Sequence, residues 1–246
     1  MALFQSNNPV LKESTFQQAA MVQDGSAMTL RGTVNKMAFL LAMVMAAAAY
    51  TWGVFYKNGN IVPYLAIGAI GGFILALVIV FKRDWAPYLA PAYALCEGAF
   101  LGAISALYAS KFEGIVLQAV GLTFGTFIAM LALYRFGVIR ATQRFKAIIV
   151  TATAGIAVFY LIAMGLRFFN IEMPYLHDSS TIGIVLSLVI VAVAALNLIL
   201  DFDLIERGIA GGAPKSFEWF AAFGLLVTLV WLYLEILRLL SKLNRR

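Results

Sequence analysis

The chain has 246 residues, 63% of them hydrophobic and only 12% charged, against about 45–50% apolar and 25% charged in soluble domains. So few charges cannot cover a soluble protein of this length, which excludes that class and makes lipid the solvent. The formal net charge of +6 falls in short loops and at the chain ends, where phosphate headgroups are the expected partner and nucleic acid is not.

Residues 1–36 read as a polar tail (NNP, FQQ, VQDGS). With no basic stretch leading into an apolar run, a cleavable signal peptide is not expected. The stretch MTLRGTVNK carries Met28, Leu30 and Val34 at amphipathic spacing, suited to lying along the membrane surface. Seven apolar segments follow: Met37 to Tyr56, Ile61 to Phe81, Tyr88 to Ala109, Ile115 to Tyr134, Ala147 to Leu166, Thr181 to Leu200 and Phe217 to Leu240. Each matches the roughly 20 residues a spanning helix needs. They are continuously apolar rather than alternating, so they are helices and not barrel strands. The breaks carry the polar and glycine-rich runs KNGN, KRDWAP, SKFEG, RFGVIRATQRFK, RFFNIEMPYLHDSS and RGIAGGAPKS. The expected fold is therefore all-α, with residues 37–246 forming a polytopic bundle of seven transmembrane helices and no second soluble domain.

Small residues cluster in GAIGG, GAFLGAIS and GLTFG. They either let helices approach closely or reflect the ordinary abundance of glycine in membrane helices. Cys96 is the lone cysteine, so no intrachain disulfide or cysteine-based metal cluster can form, and a packing role is expected.

Orientation follows from the loop charges. A cytoplasmic N-terminus places Arg31, Lys36, Lys82, Arg83, Arg135, Arg140, Arg144, Lys146, Arg207 and Lys215 inside, and Lys57, Lys111 and Arg167 outside. Lys242, Arg245 and Arg246 then fall outside, against the bias. The lack of an N-x-S/T acceptor favours a bacterial or organellar membrane, and a bacterial plasma (inner) membrane is the expected location.

Ionisable groups inside spans are costly and mark functional sites. Glu97 sits near the middle of the third span, either as a functional acid or hydrogen-bonded to a neighbouring helix. Glu235 lies in the last span with Arg238 three residues on, the spacing of a local ion pair. Asp201 and Asp203 end the sixth, and Asp203 has Arg207 at i+4, an ordinary surface pairing. The sole histidine, His177, lies in a loop beside Asp178, too isolated for a metal site or a serine–histidine dyad. No G-x-S-x-G, H-E-x-x-H or phosphate-loop motif occurs, so neither an enzyme nor a bound cofactor is expected.

Three stretches carry a resemblance. CEGAFLGAISALY followed by QAVGLTFGTFIAML, then Asp201 opening DFDLI, then WLYLEILRLL, together resemble the Bax inhibitor motif family of membrane proteins. The resemblance implies a bundle whose last helix is central, and a pH-sensitive calcium leak in which two carboxylates on the sixth and seventh helices act as sensor and pore. Asp201 matches the first carboxylate. For the second, one alignment of the last helix selects Glu235 and a gapless one selects Thr228. The pair Asp201 and Glu235 would then form a weak calcium site. Lys82 or Arg83 would stand near the family's arginine beside the acids.

The expected function is a calcium or cation leak gated by protonation of Asp201, Glu235, Glu97 and Asp203. The alternatives are a regulatory protein that binds another membrane protein, such as the membrane protease one branch of the family modulates, and a proton-coupled transporter.

Overall fold

A computed structural model describes residues 27–169 and 179–245; the N-terminal part of the polar tail and His177 with its loop lie outside them. Among the described residues, seven helices are long and apolar enough to cross a membrane. The chain is an integral, multi-pass, all-helical membrane protein.

The helices are α1 (Leu30–Tyr56), α2 (Val62–Phe81), α3 (Ala86–Ala109), α4 (Ile115–Arg135), α5 (Gln143–Phe168), α6 (Thr181–Ala210) and α7 (Phe217–Leu243). Their starts follow local chemistry. The hydroxyls of Thr29, Thr142 and Ser180 accept from Gly32, Phe145 and Gly183 N–H groups at 3.0, 3.2 and 3.2 Å, as N-caps do. Prolines occupy the first turns of α2 and α3, where the missing N–H costs nothing. The tight turn into α4 runs through Gly114 at φ 72°, a left-handed conformation that glycine adopts without strain.

Two helices, α1 and α6, overrun their apolar segments furthest. α1 starts at Leu30, so MTLRGTVNK forms the entry to the first span rather than a separate surface helix. α6 continues to Ala210, ten residues beyond Leu200. Backbone hydrogen bonding does not stop where hydropathy does.

Glycines decide which helices touch. Gly98 and Gly102 of α3 lie against the α1 backbone at Val44 and Ala48, with no room for a Cβ, and α1–α3 is the most extensive helix pair. Gly121 and Gly125 of α4 face open space, so GLTFG is not a packing motif. α2 carries a π-helical turn at Ile67–Gly71 and packs on α3, leaving Ile67, Ile70 and Phe73 exposed as a lipid-facing surface. α7 is the most covered helix and packs against α1, α3, α4 and α6.

The start of α1 is strapped to the α6–α7 turn. Met28 N–H donates to the Ala213 carbonyl at 2.8 Å, beside an isolated antiparallel bridge between Ala27 and Pro214. Glu218 of α7, fully buried, accepts from the Thr29 N–H at 2.9 Å and hydroxyl at 3.0 Å, and forms an ion pair with Lys36. A Cβ on Gly32 would overlap the Glu218 carboxylate, which would have to shift from its present contacts. With seven crossings the described ends lie on opposite faces, called here the strap face and the C-terminal face.

Candidate functional site: a polar seam between three helices

Polar side chains recur along the faces that α5, α6 and α7 turn toward one another. Nearest the strap face, Asp203 of α6 is gripped by Lys146 of α5 at 2.7 Å and Arg207 at 2.6 Å. The i+4 pairing expected from sequence is present, with a second cation that the sequence did not indicate.

Asp201 lies nine residues before the end of α6, about 14 Å from that end along the axis at 1.5 Å per residue. The extension of α6 to Ala210 places it there. Its Oδ2 is buried with no hydrogen-bond partner, and the Thr228 side chain of α7 meets the carboxyl. Thr228, eleven residues into α7, is at matching depth. Its hydroxyl also lies 3.3 Å from the Gly224 carbonyl. The residue facing Asp201 across the helix pair is therefore Thr228.

One turn further along α6, Asn197 donates to the Thr153 hydroxyl of α5 and to the Val193 carbonyl, both at 2.8 Å. Deeper still is Glu235, only 2% exposed. It accepts from Tyr160 of α5 at 2.8 Å and Trp231 at 3.2 Å, and pairs with Arg238 at 3.0 Å. Arg238 also donates to Tyr160. At the C-terminal face, Lys242 is 2% exposed and donates to the Gly183 carbonyl and Ser187 hydroxyl of α6, both at 2.9 Å. Lys242 is thus a buried helix residue and not part of a charged tail, which removes one of the three cations that opposed the orientation rule.

These rungs thread the thickness of the bundle, but the acids do not converge. Glu235 lies seven residues beyond Thr228 on α7, about 10 Å along the axis, and its carboxylate is committed to Arg238. Among the described residues no group of three potential metal ligands is assembled. Glu97 lies apart from the seam, its Oε2 against Gly72 beside the π-turn of α2. No hydrogen bond or ion pair involves Glu97 among the described residues. Lys82 lies over the Trp85 ring at 4.5 Å, and Arg83 over Phe220 of α7 at 5.1 Å. Neither reaches an acid of the seam, since Phe220 is eight residues, about 12 Å, before Thr228 along α7. The sequence reading missed Asn197, Thr153, Tyr160, Lys146 and Lys242. Asn197 alone had a local signal, lying one helical turn from Asp201 in an otherwise apolar run.

A protein-family model described as Bax inhibitor 1 like matches residues 8–245. No curated protein and no solved structure matches the chain.

Proposed function

The chain belongs to the Bax inhibitor 1 like family, and from that premise we propose a pH-sensitive cation leak, with calcium as the leading ion, along the α5–α6–α7 seam. The observation that carries this reading is Asp201, the one seam acid with a buried oxygen that has neither a hydrogen bond nor a cation. Asp203 and Glu235, on either side of it, are both neutralised by basic side chains.

When protonated, Asp201 can donate to the Thr228 hydroxyl and hold α6 to α7. When ionised, it is a negative charge without a partner inside the membrane, a state that favours separation of the helices and entry of a cation. Calcium prefers six to eight oxygen ligands. Asp201, Thr228, Asn197 and Thr153 offer few at any one depth, so binding is weak, and a conducting path needs ions that leave. Contacts of α7 with four other helices support a central last helix. The basic residues of the strap face support its being cytoplasmic, in a bacterial inner membrane.

The test is calcium and proton flux into liposomes reconstituted with wild type, Glu97→Gln, Asp201→Asn and Glu235→Gln. Wild-type flux should exceed that of empty liposomes and rise with pH, and Asp201→Asn should flatten that rise. Wild-type flux equal to that of empty liposomes overturns the reading.

A further inference from the structure

Away from the seam, a cavity of about 500 Å³ opens between α1 and α4, two helices joined by no extended packing. Met45, Ala49 and Trp52 line one wall and Val116, Val120 and Phe124 the other, over a floor of α3 and α7. Its volume suits one ligand, since such pockets measure about 300–1,000 Å³.

The hydroxyls of the lining are satisfied without water. Ser105 and Tyr233 hydrogen-bond to each other at 2.6 Å, and Thr123 donates to the Ala119 carbonyl at 2.7 Å. A water needs two to four polar partners, so the occupant is apolar.

Depth narrows its identity. Val116 is one residue from the start of α4 and Trp52 four from the end of α1, so the groove opens at the C-terminal face. It runs inward to Leu41 and Phe124, which is about 12 Å along α4 and 16 Å along α1. One leaflet of hydrocarbon is half of a core of about 30 Å. The groove is therefore one acyl chain deep. At its mouth the Arg245 guanidinium lies 6.0 Å from the Phe112 ring, in the loop that leads into α4, where Lys111 and the acidic Glu113 flank Phe112 in the chain.

We propose that this groove is a binding site for a phospholipid of the C-terminal-face leaflet, one acyl chain between α1 and α4 and the phosphate at Arg245. This does not depend on the seam conducting ions.

The experiment is photo-crosslinking of the full chain in liposomes containing a phosphatidylglycerol with a diazirine midway along one chain, with labelled residues mapped by mass spectrometry. Labelling of Met45, Val120 and Phe124 should saturate with probe and be competed by unlabelled phosphatidylglycerol. Labelling of Phe73, on the outer face of α2, should rise linearly as it does for bulk lipid. Val120→Trp should cut groove labelling about tenfold, whereas Leu122→Trp, which is outside the lining, should not. Arg245→Gln should raise the half-saturating probe concentration. Groove labelling that is linear like that of Phe73 overturns the site in the wild-type protein alone. Displacement by a free fatty acid but not by phosphatidylglycerol overturns the identity of the occupant.

Discussion

Glu235 and Asp201 are both acids inside apolar helices, yet their surroundings predict opposite responses to neutralisation. Removing one partner of a buried ion pair leaves the other uncompensated and costs about 3–5 kcal/mol. Glu235→Gln should therefore lower thermal stability in detergent by an amount near the lower end of that range, since the Arg238 side chain is 27% exposed. Adding Arg238→Met should recover much of the loss, and strictly additive losses would show that the pair is not coupled. Asp201→Asn removes a charge that has no partner, so its melting temperature should equal or exceed wild type while its flux loses the dependence on pH. Legibility divides the same way. The Glu235–Arg238 and Asp203–Arg207 pairs were readable because helical spacing fixes them. Lys36 and Glu218 are 182 positions apart, and no local rule brings them together.

Among helices, glycine position matters more than glycine number. Gly102→Leu should push α1 from α3 and destabilise the bundle by at least the roughly 1–3 kcal/mol typical of overpacking, because the atoms it meets include α1 backbone. Gly125→Ala should be neutral or stabilising by up to about 1 kcal/mol, since its Cβ enters open space and helix propensity improves. Equal effects in thermal unfolding would contradict this account. The apolar runs revealed all seven spans, because lipid forces helices wherever such runs occur. They did not reveal that α6 continues to Ala210, because its last turns are amphiphilic and read as loop. The sequence alone therefore placed Asp201 at the end of the sixth span, whereas in the structure the helix runs nine residues past it.

For the whole bundle, the odd number of crossings sets the topology. Cys96 is the lone cysteine, so in a Cys96→Ala background Ser216→Cys and Ser110→Cys should react with a membrane-impermeant maleimide from opposite sides. Labelling from the same side would contradict seven crossings. The order in which the chain is made adds a constraint. Glu218, which holds the Thr29 amide and Lys36, belongs to the final helix, so the first helix to leave the ribosome waits for the last before its entrance is closed. A nascent chain stopped before Phe217 should expose the peptide bond after Arg31 to trypsin, and completion of the seventh span should protect it. Biogenesis would then end with the entrance of the first described helix fastened to the entrance of the last.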